Sequence, residues 1–573
     1  MERRTIEVET VAEAYLTLLA ERGVEYLFAN GGTDFAPIVE AVAALEAKGR
    51  LKLKVVSVGH ENVAVSMAHG HYLLSGRPQA VMFHVNVGTA NGINALANAA
   101  RDNIPLLFTA GRNPITEFGR PGSRDTGIQW GQEMFDQAGM VRELVKWDYE
   151  LRHGDQLEDV VDRALEIATM QPRGPVYLSL PREVLSAPMS SFGYRAKPRR
   201  ANGAAPGADP KEIERAADIL AEAERPLMLP QMAGRTVESA AAVADFAERF
   251  AIPTVEYRAL ANSLPSGHPM MVGYDPVPHL HEADAILAVD AIVPWIPVRH
   301  GNPPEDCKVV NLGADPAFQR IPIRSYPSDA TIVGAVETAL PLLGEALAAR
   351  LRRDDGRLDA RRRRLVAAQS KNRADVAARI ESVRGTVPIH PIWATHCIAA
   401  AKGDDAIVIN EYSLLSRFAP FPKPRTYFGT PQAGGLGWGI GTAIGAKIAA
   451  PERLVIAVLG DGAYMFGNPT AGHLVLRALD LPVLFIVFNN SRWEEVERAA
   501  LSVFPKGRAA QANRVPVADL GPEAHYEHMM AVYGGHGERV ERPEDLPGAL
   551  ERAIRAVRVE KRQALLNLIV GHR

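Results

Sequence analysis

Two short apolar segments near the end of the chain constrain its fold more than any other feature. Residues 454–459 lead into a Gly-Asp-Gly turn, and residues 482–488 lead into an Asn-Asn turn. The segment between them is long enough for one helix, and two apolar strands joined through a helix run parallel in one sheet. Parallel strands end at the same sheet edge, where open α/β sheets bind ligands. Asp461 and Asn490 are therefore predicted to be neighbours, although they are 490 − 461 = 29 positions apart.

These two turns carry the oxygen ligands that a hard divalent cation prefers. The carboxylate of Asp461, the amide oxygen of Asn490 and a nearby backbone carbonyl together suit Mg²⁺ or Ca²⁺. A metal with so few protein ligands has room for the oxygens of a diphosphate. Gly460 and Gly462 lack a Cβ, so their backbone can approach those phosphates closely. The alternative is a strand-end turn with a solvated aspartate and an ordinary asparagine loop.

Strand-like and helix-like stretches alternate along most of the 573 residues, which predicts doubly wound parallel sheets of the α/β class. We expect three such domains, at 1–185, 211–345 and 385–573. A Pro- and Gly-rich linker is predicted at 181–210, and a polar helical connector at 350–382. The strand candidates are, in chain order, 24–29, 53–58, 80–85, 105–110, 226–229, 253–257, 285–289, 308–312, 406–409, 454–459, 482–488 and 564–570.

The composition narrows the classes of partner. A formal net charge of −3 favours neither nucleic acid nor an acidic membrane surface as a partner. No apolar run reaches membrane-spanning length, and the N-terminus shows no signal-peptide pattern, so a cytoplasmic location is expected. Cys307 and Cys397 lie far apart and are expected in the core. The basic runs at 350–353 and 361–364 are expected on a solvated helix face.

The Gly-Asp-Gly turn followed by the Asn-Asn turn resembles the signature of thiamine-diphosphate enzymes. Over nearly its whole length the chain is similar to the group that contains acetolactate synthase, benzoylformate decarboxylase and pyruvate oxidase. The resemblance implies a pyrimidine-binding, a central and a diphosphate-binding domain, in that order. It implies thiamine diphosphate and Mg²⁺ as cofactors and a small 2-oxo acid as substrate. It also implies a homodimer at minimum, and more fully a homotetramer, because the cofactor of this family lies between subunits.

The resemblance assigns roles in the diphosphate half of the site. It makes Asp461, Asn490 and the backbone carbonyl of Arg492 the metal ligands. In the stretch AGGLGWGIGTAIGAKIA, Leu436 is placed to bend the cofactor, and Gly434 offers its carbonyl to the cofactor's amino group. Four further positions are assigned to the cofactor: Ser413, Gly460, Gly462 and, through its backbone, Ala463. A serine is equally typical of a helix cap, and a glycine-rich stretch is equally typical of a helix start packed tightly on a sheet.

The resemblance also places three catalytic residues in the first domain. Glu61, in GHENVAVSMAHGH, is expected to activate the pyrimidine ring, although a glutamate at a helix start also suits the helix dipole. His84, in HVNVGTANG, is expected to move protons, the alternative being a buried structural histidine. Thr33, in NGGTD, is expected to orient the substrate, the alternative being an N-cap. No role is assigned to three neighbours of the glutamate: His60, His69 and His71.

The motifs together favour a 2-oxo acid decarboxylase that resembles benzoylformate decarboxylase and can also transfer the aldehyde unit to a second carbonyl. An acetolactate synthase-like carboligase and a non-catalytic thiamine-diphosphate-binding protein are the alternatives. Flavin is not expected, because the central domain lacks both a GxGxxG fingerprint and the Arg-Phe-Asp-type pattern of flavin-containing relatives. Trp295 and His300 are the central-domain candidates for a second proton carrier, but neither aligns cleanly with the family. Substrate choice is expected to depend on the loops 112–124, 129–136 and 493–505.

Overall fold

The computed structural model describes residues 2–198, 205–351 and 356–571. The strands, numbered in chain order, are β1 Arg3–Glu7, β2 Tyr26–Asn30, β3 Lys54–Ser57, β4 Ala80–Phe83, β5 Leu107–Arg112, β6 Asp148–Glu150, β7 Val176–Pro181, β8 Ser191–Arg195, β9 Pro226–Pro230, β10 Thr254–Val255, β11 Met271–Gly273, β12 Ala285–Val289, β13 Lys308–Gly313, β14 Ala330–Val333, β15 Ile407–Glu411, β16 Tyr427–Phe428, β17 Val455–Gly460, β18 Leu484–Asn489, β19 His536–Val540 and β20 Ala564–Ile569.

The α-helices, numbered in the same way, are α1 Val11–Glu21, α2 Ala36–Ala47, α3 Glu61–Ser75, α4 Val85–Arg101, α5 Ile128–Gly131, α6 Leu157–Thr169, α7 Arg182–Ser186, α8 Pro210–Glu222, α9 Val237–Arg249, α10 Val277–Leu280, α11 Pro297–His300, α12 Val336–Arg350, α13 Arg357–Val383, α14 Pro391–Ala401, α15 Trp438–Ala449, α16 Asp461–Phe466, α17 Pro469–Ala478, α18 Glu494–Val503, α19 Arg508–Gln511, α20 Met529–Tyr533 and α21 Leu546–Arg558.

Three six-stranded sheets form the framework, and their strands pair in parallel. The first has the order β3-β2-β4-β5-β7-β6, and the third has the order β16-β15-β17-β18-β20-β19. Counting strands within each sheet, these two orders are the same, whereas the central sheet runs β11-β10-β9-β12-β13-β14. The prediction of three doubly wound parallel sheets is confirmed. Each sheet has a switch point beside its first strand in chain order, where the order reverses, and ligands bind at such points.

Continuous apolar runs explain why these strands lie inside their sheets. The segments β17 and β18 are almost fully buried, because helices cover both faces of a parallel sheet. They are hydrogen-bonded side by side, with Gly460 opposite Phe488. The predicted strands agree with the observed ones to within about two residues at most ends, a usual error for sequence patterns. The shorter strands at the sheet edges, such as β6 and β16, were not predicted, since two or three residues leave no periodic signal.

The chain divides into two compact units, which we describe separately. The first comprises residues 1–204, 431–451 and 467–479, and the second comprises 205–430, 452–466 and 480–573. The first unit contains the first sheet together with α15 and α17, and the second contains the central and third sheets. The domain boundaries drawn from the sequence stay a prediction.

Three predictions about connecting segments need correction or comment. The linker proposed at 181–210 is wrong in its first half, because α7 lies there and β8 pairs antiparallel with β1. Residues 199–204 of that linker, and 352–353 of the first basic run, lie outside the described residues. The second basic run is not wholly solvated. Arg361 is buried and donates to three backbone carbonyls, so its charge is satisfied inside the protein.

Other sequence expectations are confirmed. The connector is helical over α13, and both cysteines are buried. Among the described residues, none of the helices combines the length and apolarity that crossing a membrane would require.

Candidate active site

Three ionisable side chains follow neighbouring strands of the first sheet. Asp34 follows β2, Glu61 follows β3 and His84 follows β4, and these three strands are adjacent in the order β3-β2-β4. The switch point of this sheet lies between β2 and β4. Asp34 and His84 therefore meet where ligand sites of such sheets occur.

His84 and Asp34 form a tight pair. Nδ1 of His84 lies 2.5 Å from Oδ1 of Asp34, and the backbone N–H of Val85 donates to Oδ2 at 3.3 Å. Two glycines make room for the pair: a Cβ at Gly32 would lie 2.2 Å from the imidazole, and one at Gly111 would lie 1.6 Å from Oδ2. The hydrogen bond to Asp34 raises the pKa of His84 above its usual value, and partial burial works in the opposite direction.

The outer nitrogen of His84 contacts a loop residue. Nε2 lies 3.2 Å from the side-chain nitrogen of Gln132, whose amide oxygen is buried without a hydrogen-bond partner among the described residues. With its Nδ1 proton on the Asp34 side, neutral His84 accepts from Gln132. A protonated ring would need the Gln132 oxygen instead, which a half-turn of the amide supplies. The loop itself is held by ion pairs of Glu133 with Arg112 and Arg124.

Sequence reasoning missed Asp34 and singled out its neighbour Thr33. Thr33 is exposed, and the N-cap alternative for it is wrong, because the short 3₁₀ turn there is capped by Gly32 without a side-chain bond. The carboxylate of Asp34 is 2 % exposed and contacts the histidine instead. The available signal in the sequence was that Asp34 is an acidic residue next to Thr33. Its partner, His84, is 50 positions away in the chain.

Glu61 is the first residue of α3 and is buried at the strand end. The preceding residue, His60, caps the helix by accepting from the N–H of Asn62. Oε2 of Glu61 accepts a hydrogen bond from Nδ2 of Asn91 at 3.2 Å. The position at a helix start also suits the helix dipole, and the predicted role of Glu61 in activating the pyrimidine ring stays a prediction.

Four polar side chains occupy one face of α4 and its C-cap at helical spacing, and we call this set the α4 ladder. Its members are Asn91, Asn94, Asn98 and Asp102. The first contacts Glu61, as described above. The second donates from Nδ2 to the backbone oxygen of Leu436 and to the side-chain oxygen of Asn62, both at 3.0 Å. Side chains on one face of α4 thus hydrogen-bond both to the buried Glu61 and to the backbone of Leu436, the residue predicted to bend the cofactor.

The rest of the α4 ladder holds the chain just before Leu436. Nδ2 of Asn98 donates to the carbonyl of Gly435 at 2.8 Å, and Oδ1 accepts from the N–H of Gly435 at 2.9 Å. Asp102 accepts from the N–H of Gln432 at 3.0 Å. Gly434, between them, has a φ of 67°, which glycine adopts without strain. The glycine-rich stretch is therefore fixed by side chains of α4 from its start.

Helices α3 and α15 pack backbone to backbone in this unit. A Cβ at Gly441 would lie 2.5 Å from the carbonyl oxygen of Val63, and one at Gly445 would lie 2.0 Å from that of Met67. Both sequence interpretations of the glycine-rich stretch therefore remain compatible, since the same glycines allow this packing. His69 is fully buried and accepts from the indole N–H of Trp438, which supports leaving it without a catalytic role.

The second unit brings the two predicted turns together. Because β17 and β18 are paired, Asp461 lies beside the loop 490–492. Oδ1 of Asp461 accepts from the N–H of Gly462 at 2.8 Å, whereas the buried Oδ2 has no hydrogen-bond partner among the described residues. Burial raises the pKa of Asp461 to about 6, and the N–H groups of 462 and 490–492 lower it. A carboxylate with an orphaned buried oxygen is suited to a cation.

The loop after β18 is shaped by its own side chains. Oδ1 of Asn490 accepts from the N–H of Arg492 at 3.1 Å, and Nδ2 lies 3.3 Å from Glu494. The guanidinium of Arg492 pairs with Glu497. The role of the Arg492 backbone carbonyl as a metal ligand stays a prediction. The ring of Trp493 packs on Gly462, where a Cβ would lie 2.4 Å from it. Gly462 therefore has a packing reason as well as the predicted phosphate approach.

The third sheet also has its switch point at the predicted residues. Ser413 follows β15, and its Oγ lies 3.5 Å from where a Cβ of Gly460 would be. The helix-cap alternative for Ser413 is wrong, because Oγ contacts the carbonyl of Glu411 and the next 3₁₀ turn begins only at residue 416. The side chain of Asn410 fixes this turn by accepting from Ser413 N and Leu414 N. Ala463 is buried in α16, the short helix that follows β17.

The switch point of the central sheet, between β9 and β12, is bridged by an ion pair. Arg235 follows β9 and lies 2.7 Å from Asp290, which follows β12. A Cβ at Gly313 would lie 2.4 Å from Asp290, so the pair fills the space at this edge. His300 is buried and accepts from the N–H of Ile296, an interaction typical of a structural histidine. Trp295 is buried in the core, and its N–H donates to Asn302.

Comparison with known families gives matches over three parts of the chain. Residues 9–140 match the thiamine pyrophosphate enzyme N-terminal TPP-binding domain, 213–343 match the central domain, and 411–567 match the C-terminal TPP-binding domain. A probable 2-ketoarginine decarboxylase of Pseudomonas aeruginosa is 26% identical over 96% of this chain and 91% of its own length. Benzoylformate decarboxylase of the same species is 26% identical over 96% of this chain and 98% of its length.

Solved structures share the fold. The thiamine diphosphate-dependent 4-hydroxybenzoylformate decarboxylase of Rhodococcus jostii RHA1 has a TM-score of 0.76 at 22% identity, covering 98% of this chain and 99% of that one.

Proposed function

We propose a function from the premise that this chain belongs to the thiamine pyrophosphate enzyme family, as its matches to all three domains of that family show. The chain uses thiamine pyrophosphate with Mg²⁺ to decarboxylate a small 2-oxo acid. Bound thiamine pyrophosphate supplies a carbon nucleophile and an electron sink, which cleavage of a bond next to a carbonyl requires. The observation that carries the proposal is the orphaned, buried oxygen of Asp461 beside the loop 490–492.

The second unit would hold the metal and the diphosphate. Asp461, the side chain of Asn490 and the carbonyl of Arg492 are the proposed Mg²⁺ ligands, a sparse oxygen set that leaves positions for phosphate. A bound cation would offset the burial that raises the pKa of Asp461. The turn residues around it, Gly460, Gly462, Ala463 and Ser413, would contact the diphosphate.

The first unit would hold the pyrimidine end of the cofactor. Glu61 is buried and keeps one oxygen on Asn91, which orients its carboxyl group. The α4 ladder fixes the backbone around Leu436, so the side chain proposed to bend the cofactor has a defined origin. Gly434 would offer its carbonyl to the cofactor's amino group.

The pair formed by His84 and Asp34 supports release of an aldehyde as the product. Release of an aldehyde requires that a proton be delivered to the reacting carbon of the substrate after carbon dioxide leaves, and a histidine whose pKa is raised above its usual value can hold that proton. His84 meets this requirement because Asp34 favours its protonated form. Gln132 can follow the protonation by turning its amide. Thr33, exposed next to this pair, is proposed to orient the substrate.

We propose no flavin for the central domain, since Arg235 and Asp290 bridge its switch point.

The carboligase alternative shares the residues above and differs in the acceptor of the aldehyde unit. The enzyme is incubated with pyruvate and, separately, with benzoylformate, and the products are analysed. Free aldehyde supports the decarboxylase, whereas 2-acetolactate from pyruvate as the main product would overturn it in favour of the carboligase.

A second measurement separates catalysis from cofactor binding alone. Exchange of the acidic thiazolium proton for deuterium is followed in wild type and in Glu61→Gln. We expect the variant to be slower by about 10²-fold or more, which is typical when an acid–base group is lost. Equal exchange rates in the two proteins would contradict the proposal that the chain is an enzyme. If both proteins then bind the cofactor, the result favours a non-catalytic thiamine-diphosphate-binding protein.

We further propose a homodimer at minimum, and a homotetramer, in which Glu61 acts on the cofactor held by the metal ligands of the partner protomer. Two variants that are expected to be inactive on their own, Glu61→Gln and Asp461→Ala, test this by subunit exchange. If the residues act across protomers, a mixed dimer contains one intact site and activity returns. If activity does not return although light scattering and a tagged pull-down show mixed dimers, the residues act within one chain.

A further inference from the structure

A cavity of about 520 Å³ lies in the second unit, away from the residues assigned above. One wall is the middle of α13, and the others are the segment after β11, one side chain of α14 and the turn 416–420. Small-molecule sites occupy this range of volume and combine an apolar lining with a few polar groups.

The α13 wall is a single stripe of the helix. Its lining residues are Gln369, Asn372, Arg373, Val376, Ala377 and Ile380, which share one face at helical spacing. Gln369 anchors the upper end by donating to the carbonyls of His268 and Met271, at 2.9 and 3.1 Å. Met271 and Phe418 also line the cavity and add to its apolar surface. The wall is therefore fixed at one end by Gln369, polar at Asn372 and Arg373, and apolar at Val376, Ala377 and Ile380.

Two arginines give the cavity an excess of positive charge. Arg373 donates to the side-chain oxygen of Gln369 at 3.1 Å, and Arg417 donates to that of Asn372 at 3.4 Å. Neither guanidinium has an ion pair with a carboxylate among the described residues. Asp275 also lines the cavity, and it already accepts from the N–H of Val277. Two cations against one anion favour an anionic ligand.

We propose that this cavity binds a small organic carboxylate with an apolar body, the carboxylate on Arg373 and Arg417 and the body against Val376, Ala377 and Ile380. The site is separate from the proposed cofactor site and does not depend on the proposed reaction. The carboxylate would replace the weak amide contacts of the two guanidinium groups with charge-assisted hydrogen bonds.

The test uses phenylacetate as the probe, with phenylacetamide as its neutral isostere, and calorimetry on the full chain. Two variants act on the cavity: Arg417→Gln removes a charge, and Ala377→Trp fills space. Their matched controls lie on α13 outside the lining, Arg379→Gln and Ala378→Trp, and both are at exposed positions. All four substitutions are on the surface, where folding is least disturbed.

We expect phenylacetate to bind, and each cavity variant to weaken it by roughly tenfold while the controls match wild type. Wild-type protein should bind phenylacetamide at least about tenfold more weakly than it binds phenylacetate. Three results would each overturn the proposal: no binding of phenylacetate at millimolar concentration, equal binding of the neutral isostere, or binding that the cavity variants leave unchanged.

Discussion

The bonds between Asn98 and Gly435 allow a quantitative prediction about the geometry of Leu436. The Asn98 side chain is fully buried and makes two hydrogen bonds to one residue of the glycine-rich stretch. Each such bond contributes roughly 1 kcal/mol net, so Asn98→Ala should cost the ordered stretch about 2 kcal/mol. Alanine is the better helix former, so any loss comes from the missing bonds and not from α4 itself.

If the ordered stretch is the form that binds cofactor, about 2 kcal/mol corresponds to a loss of up to about 30-fold in apparent affinity. The assay is calorimetric titration of the apoprotein with thiamine pyrophosphate in excess Mg²⁺, supported by kcat/KM once a substrate is known. Ala97→Gly is the matched control, because it destabilises the same helix by about 1 kcal/mol without touching these bonds. An Asn98→Ala protein that binds cofactor like wild type would refute the reasoning. A loss equal to that of the control would do the same.

Three further predictions concern the remaining parts of the site. Asp461→Ala should abolish the Mg²⁺-dependent part of cofactor binding, because it removes the orphaned buried oxygen that is proposed to bind the metal; calorimetry with and without Mg²⁺ checks this, and an unchanged affinity would remove the metal assignment. Asp34→Asn removes the negative charge of the group whose hydrogen bond raises the pKa of His84 and leaves only a neutral acceptor, so the alkaline limb of kcat/KM should move to lower pH, and a limb that stays in place would contradict the pair's role. Gly445→Ala puts a Cβ 2.0 Å from a backbone oxygen of α3 and should cost about 3 kcal/mol, seen as a lower thermal midpoint, while Gly548→Ala in an outer helix should be tolerated.

Much of the framework could be predicted from the sequence because its signals are local. The apolar run of β17, its glycine turn and the run of β18 each lie within a few residues, and parallel pairing then follows from the helix between them. The same argument placed Asp461 beside the loop that contains Asn490, and the structure has them together.

The side-chain network of the first unit could not be predicted in this way. The spacing of the α4 ladder is visible in the sequence, but its partners lie 337 and 342 positions away in the chain. Asp34 stands at an ordinary helix-start position, and only the folded sheet order reveals that it faces His84. Local patterns specify elements, whereas contacts between distant elements depend on how the sheets are ordered.

The close approach of α3 and α15 has a consequence for how such a protein can change. Glu61 starts one of these helices, and Leu436 stands just before the other. Because glycines let the two backbones touch, any exchange that adds a side chain at Gly441 or Gly445 must push the two helices apart or strain their contact. Variants that keep these glycines therefore keep the separation of the two helices, and with it the spacing between Glu61 and Leu436, whatever changes occur in the loops.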